Sequence, residues 1–176
     1  MEALNRILRA QAISHGLCKK WTEEWDLKSD TDKLLFKYKE GIGFCCKNNY
    51  PPNDFVKRHF DRAVLCEHHI YLDENIVYQD APSDTYVIQG DSEIDLTFSG
   101  YTAAFLWLRN CCKVNITAKE HARIFVHVFD NSDCTITLQD KANVVTRKRS
   151  ETANLILIEK KSQNEENQTQ IFPLFL

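Results

Sequence analysis

Two groups of residues have the types and spacing to do chemistry. Cys66-Glu67-His68-His69 sets three potential metal ligands in a row, and Cys45-Cys46 and Cys111-Cys112 are adjacent thiol pairs. Zinc sites bring side chains together through a Cys-x-x-Cys or His-x-x-x-His rhythm. Adjacent cysteines in a strand point apart and that rhythm is missing here, so no metal is expected and the thiols read as buried apolar side chains. Asp91, Glu93 and Asp95 alternate along one segment, as an acid/base pair on a small carbohydrate-active β-helix would. No Gly-x-Ser-x-Gly elbow or phosphate-cradling glycine loop occurs, and the chain has only five glycines. The balance is against an enzyme and against a cofactor.

These residues are carried by a repeat. Shifted by 20, the chain superposes Ile94-Asp95-Leu96-Thr97 on Val114-Asn115-Ile116-Thr117 and on Cys134-Thr135-Ile136-Thr137, with Asn154-Leu155-Ile156-Leu157 as a degraded fourth copy. Earlier in each unit, Tyr86-Val87-Ile88-Gln89 matches Leu106-Trp107-Leu108-Arg109 and Val126-His127-Val128-Phe129. Turn-like tetrads such as Gly90-Asp91-Ser92-Glu93 and Asp130-Asn131-Ser132-Asp133 separate the halves. Two β-like runs per fixed short period predict a β-solenoid, whose stacked coils bury what one repeat cannot. The alternative is an antiparallel β-meander. Positions 94, 96 and 98 and their equivalents should point inward, and Thr97, Thr117 and Thr137 outward as a ladder.

The other run has apolar side chains on both faces. Ala104, Leu106, Leu108, Ile124, Val126 and Val128 suit the inside, which leaves Phe105, Trp107, Phe125 and Val145 on the opposite side. Exposed aromatic patches mark contacts. The N-terminal helices are expected to pack there; a partner-binding face that includes His127 is the alternative.

Residues 1–66 read as a helical lobe. Leu4, Leu8, Ala12, Leu17, Trp21 and Trp25 hold helical spacing around a break at Gly16. Ser29 and Asp32 have the form of a capping pair before a second helix. Tyr50-Pro51-Pro52 ends it, and Asn53 caps a short third helix. Tryptophans and phenylalanines are expected as the lobe's core. Residues 67–83 form an acidic connector, 84–159 the solenoid of about four coils, and 160–176 a polar linker with an apolar tail. The fold class is thus α+β.

The chain has 176 residues, 43% apolar and 27% charged, with 22 basic and 25 acidic side chains. That excludes a disordered polymer, and no apolar run nears the roughly 18 residues of a spanning helix, so no membrane is expected. Met1 to Arg6 lacks a signal-peptide core. With seven cysteines, an odd number, the chain reads as a cytoplasmic protein with reduced thiols. The net charge of −3 hides a segregation. Residues 67–100 hold eight acids and no Lys or Arg, whereas residues 141–161 hold six cations and two acids. Complementary ends would favour a head-to-tail homo-oligomer or orient a charged partner. Arg147, Lys148 and Arg149 could also meet nucleic-acid phosphates, though without the broad cationic stripe of a nucleic-acid reader. The tail carries Phe172, Leu174 and Phe175, which either fold back over the solenoid's open end or bind in trans.

Over residues 84–158 the coils resemble short β-solenoid modules, but not hexapeptide acyltransferases, whose coils have three six-residue units. Gly16-Leu17-Cys18 near Trp21 and Asn49-Tyr50-Pro51 before Asn53-Asp54-Phe55, with the coils, resemble small proteins of bacterial genomes and their phages. That resemblance brings no functional residues. The function expected is non-catalytic protein binding or assembly, in one concrete form a phage-type inhibitor of a host defence protein such as an RNA-guided nuclease. The candidate contacts are Phe105, Trp107, Phe125 and His127, then Arg147, Lys148 and Arg149, and Phe172, Leu174 and Phe175. The rivals are the carbohydrate-active enzyme and a nucleic-acid binder.

Overall fold

From Glu93 onward, runs of alternating burial are separated by short turns, and the chain winds through them in stacked coils. The computed structural model describes residues 1–160 and the strand residues 170–173. One sheet is formed, in this order, by β1 (Ile70–Leu72), β3 (Thr85–Gln89), β5 (Ala103–Leu108), β7 (Arg123–Val128) and β9 (Asn143–Lys148). The second runs from β2 (Asn75–Tyr78) through β4 (Glu93–Phe98), β6 (Lys113–Ala118) and β8 (Asp133–Gln139) to β10 (Asn154–Lys160) and β11 (Gln170–Pro173). Each coil gives one strand to each sheet. All pairs between coils are parallel, which replaces the meander alternative with a β-solenoid. It has five coils rather than four, because β1 and β2 fall in the segment expected as a connector.

From β3 to β9 and from β4 to β8 the 20-residue shift is the register itself, but β10 sets Leu155 rather than Asn154 beside Cys134, so the fourth copy of the repeat is displaced by one residue. Thr85 pairs with Phe105, Phe105 with Phe125 and Phe125 with Val145 in one sheet, and Glu93, Lys113 and Asp133 align in the other. Inside, Ile94, Val114 and Cys134 form one column and Leu96, Ile116 and Ile136 another, each at most 2% exposed. Leu106 and Val126 face them from the first sheet with no exposure. Fully burying such a side chain contributes about 1.5–3 kcal/mol, so the inner columns hold the coils together.

Both corners of the coil turn through left-handed residues. One column is Asp73, Gly90, Asn110 and Asp130, and the other Asp80, Gly100, Glu120 and Asp140, all at positive φ. Side chains of one coil satisfy the backbone of the one before. Gly90 N–H donates to Asn110 Oδ1 (3.3 Å), Asn110 N–H to Asp130 Oδ2 (2.9 Å) and Asp130 N–H to Ser150 Oγ (2.8 Å). At the other corner Gly100 N–H donates to Glu120 Oε2 (2.7 Å) and Glu120 N–H to Asp140 Oδ2 (3.2 Å). Short polar side chains tolerate this backbone and bond to it, which is why Asn and Asp recur there.

The first compact unit is Met1–His68, and the solenoid begins at His69. Six helices form the first unit: α1 (Glu2–Ser14), α2 (Lys19–Glu23), α3 (Thr31–Glu40), α4 (Ile42–Lys47), α5 (Asn53–His59) and α6 (Arg62–Glu67). Gly16 (φ +85°) breaks the first run as expected. The cap of α3 is Asp30, whose side chain accepts from Lys33 N–H, one residue beyond the expected Ser29. Asp61 caps α6, a helix the sequence reading did not separate. Buried positions go to Leu8, Ala12, Leu34, Leu35, Ile42, Cys45, Cys46 and Tyr50 rather than to tryptophans. Trp21 and Trp25 instead hold the Lys37 ammonium at 5.0 and 5.7 Å from their ring centroids. A fully buried Asn5 ties the chain together, donating to Ser29 C=O (2.9 Å) and accepting from Trp25 Nε1–H (3.2 Å).

Candidate functional site

The candidate surface is the outward face of the five-stranded sheet. Because a parallel in-register ladder repeats each side-chain direction coil after coil, equivalent residues stack into columns whose successive members are about 4.8 Å apart. Thr85, Phe105, Phe125 and Val145 make one column; Val87, Trp107, His127 and Arg147 make the next. The spacing suits ring stacking. Phe105 and Phe125 stack at 4.9 Å and 13°, and Trp107 and His127 at 4.0 Å and 7°. Phe129 extends the group, 6.0 Å from Trp107.

Exposure varies across this face. Val87, Gln89 and Arg109 are fully buried, whereas Phe105 is 46% and Val145 42% exposed. Trp107, Phe125 and His127 are half-buried. Tyr101, at the corner before β5, is 85% exposed and stacks on His121 at 4.7 Å. Sequence reasoning passed over that pair, although its 20-residue spacing was a usable signal.

The basic residues belong to this same face. Arg147 heads the Trp107–His127 column, Lys148 is exposed at the end of β9, and Arg149 Nε donates to His127 Nδ1 (3.3 Å). Burial, followed by the charges of Arg149 and Arg147, holds the imidazole below its ordinary pKa. A neutral ring with a lone pair on Nδ1 is what the Arg149 bond requires. Exposed Arg123 flanks Phe105 and Phe125 from the start of β7. Two groups the sequence listed separately, aromatic and basic, are contiguous.

The tail is placed elsewhere. Phe172 lies in β11, which pairs antiparallel with β10 in the other sheet and aligns it with Leu157. That strand belongs to the sheet that does not carry the aromatic columns. Leu174 and Phe175 lie outside the described residues.

The carboxylates sit on the polar face of the six-stranded sheet or its corner. Glu93 pairs with Lys113 Nζ (3.1 Å) and Asp95 accepts from Asn115 Nδ2 (2.7 Å). Asp91 is exposed in the turn, its N–H donating to Asp73 Oδ1 (2.8 Å). Thr97, Thr117 and Thr137 align as the expected ladder.

The Cys66–His69 group is drawn apart. His68 Nε2 meets Asp32 at 3.0 Å, while His69 Nδ1 meets Asp84 and its ring stacks on Tyr86 at 4.8 Å. Among the described residues no three His, Cys, Asp or Glu side chains are grouped to hold a metal ion. No helix among them is long and apolar enough to cross a membrane.

Comparison with protein families, curated proteins and solved structures found no match.

Proposed function

We propose that the chain is a non-catalytic protein-binding or assembly module that makes contact through the outward face of the five-stranded sheet. The observation that carries this reading is the exposed column of Phe105, Phe125 and Val145 beside a stacked Trp107–His127 pair, with Arg123, Arg147 and Arg149 around it. A flat apolar centre inside a polar rim has the anatomy of a protein interface, and aromatics with Arg are its usual anchors. An occluding inhibitor is one form of such a module, and this face would do the occluding.

The same geometry ranks nucleic acid second. Binding a single strand takes open aromatic faces on which bases stack. Here ring faces are turned toward one another, at 4.9 Å in one column and 4.0 Å in the next.

The test is affinity capture from the source cell with the wild-type chain, a Phe105→Ser/Phe125→Ser variant and an Asp91→Asn/Glu93→Gln variant. Capture should fail for the first variant and survive in the second. Capture that survives loss of both phenylalanines would remove this face from consideration. Binding of a single-stranded oligonucleotide at low salt, abolished by Arg147→Glu with Lys148→Glu, would move the reading to nucleic acid.

A further inference from the structure

At its last coil the solenoid ends its two sheets differently. The six-stranded sheet gains one more strand, β11, which lies antiparallel along β10. The five-stranded sheet ends at β9, which among the described residues pairs only with β7. Asn143 N–H donates to Ala122 C=O and Arg149 N–H to Val128 C=O, so odd-numbered residues bond back into the sheet. By the alternation of a parallel ladder, Val144, Thr146 and Lys148 then aim their N–H and C=O groups away from it. Three residues whose N–H and C=O groups point outward, with no strand partner among the described residues, are a template for another strand.

The side chains state what that strand must carry. An incoming residue beside Val145 would extend the Phe105–Phe125–Val145 column and should be apolar. Residues beside half-buried Val144 and Thr146 would close the inner columns and should be small and β-branched. The residues beside Arg147 and Lys148, both exposed, should be acidic. A second copy of β9 in parallel register would set Arg147 against Arg147 and Lys148 against Lys148, which destabilises a pair. We propose that the β9 edge takes up an extended acidic segment of another protein as an added parallel strand, a mode in which backbone bonds supply affinity and alternate side chains specificity. This edge adjoins the aromatic face at Val145 and Arg147 but engages backbone rather than ring faces, so the two contacts are tested by different substitutions.

The experiment uses the full chain and a fluorescein-labelled peptide, Ser-Asn-Val-Ile-Thr-Glu-Asp-Gly, written so that Asn lies beside Asn143 and Glu beside Arg147. Anisotropy should show saturable binding, and hydrogen exchange should slow at the amides of Val144, Thr146 and Lys148. N-methylating the peptide's Ile and Glu amides, which would donate to β9, should weaken binding at least about tenfold while leaving the protein untouched. Replacing Glu-Asp by Lys-Lys, or substituting Thr146→Pro on the edge, should do the same. Phe105→Ser/Phe125→Ser should leave peptide binding within about twofold, separating this proposal from the preceding one. Absence of binding, binding indifferent to N-methylation, or protection confined to other strands would overturn the proposal. Self-association that protects the same three amides with no peptide present would overturn the choice of occupant, and displacement of the peptide by oligo-dT would do so in favour of nucleic acid.

Discussion

Trp107 and His127 lie one coil apart with their rings 7° from parallel and 4.0 Å between centroids, and the imidazole accepts a bond from Arg149 Nε at 3.3 Å. The contact joins the aromatic and basic parts of the face, and it makes His127 sensitive to acid. Burial and two guanidinium groups hold its pKa below the ordinary 6.5. Below that ordinary value the unfolded chain takes up a proton that the folded chain refuses, so stability falls as pH drops through 6.5 toward the depressed value. His127→Gln should remove part of the acid-side loss, seen as a smaller drop in melting temperature between pH 8 and pH 5. A proton-NMR titration should place the wild-type imidazole below 6.5; a normal or raised value would contradict the stacked, Arg-bonded geometry.

Gly90 should be the least replaceable glycine described. Its φ is +71°, and an added Cβ would lie 2.0 Å from Asp73 Oδ1 and 2.9 Å from Leu72 Cδ1. The Asp73 oxygen cannot simply move, because it accepts the Asp91 N–H. Gly90→Ala should cost about 2–4 kcal/mol, combining left-handed strain with overpacking. Gly16, with φ +85° and no atom within 4 Å of its added Cβ, should cost only about 1 kcal/mol. Urea midpoints with unchanged slope would measure both.

The corner column should be read out by isosteric substitution. Asp130 accepts the Asn110 N–H at 2.9 Å and itself holds φ at +54°. Asp130→Asn keeps the acceptor and tolerates the backbone, so it should change stability by no more than about 0.5 kcal/mol. Asp130→Ala loses both and should cost about 1–3 kcal/mol. Equal effects in denaturation would mean the column is ornament to the fold.

Thiol chemistry should divide the seven cysteines by position. Cys18 and Cys111 are exposed, whereas Cys112 and Cys134 lie in the solenoid interior. Burial pushes the Cys112 thiol up to about 11 and raises that of Cys134 as well, so neither offers thiolate near neutrality. A colorimetric thiol titration of the native chain at pH 8 should modify Cys18 and Cys111 first. Cys112 and Cys134 should react only after denaturant is added. Fast labelling of either would show that the coils open readily.

The middle of the solenoid was legible because one rule governs it. From Glu93 to Leu138 the shift between paired strands of the second sheet is 20 residues, so self-alignment and pairing coincide. The first coil escaped because Ile70 pairs with Val87 and Asn75 with Glu93, offsets of 17 and 18 that an exact shift cannot find. Its Asp73 and Asp80 looked like the charges of a connector, yet both turn corners at positive φ. In the helical unit, composition marked helices and their breaks, but Asp30 and Asp61 show that caps are chosen by local geometry among several polar neighbours. At the candidate face, the sequence gathered Phe105, Trp107, Phe125 and His127 through alternation. It did not join Arg147 and Arg149 to them, since that neighbourhood arises only when coils stack.

The uniform pitch of the middle coils makes the molecule extensible. A duplicated cassette such as residues 113–132 would enter with the inner columns and both corner columns continued. Each such cassette would move the basic terminus about 4.8 Å farther from the acidic one, the distance between adjacent strands. The coil number is therefore a built-in ruler, setting how far apart the acidic and basic stretches of the solenoid are held.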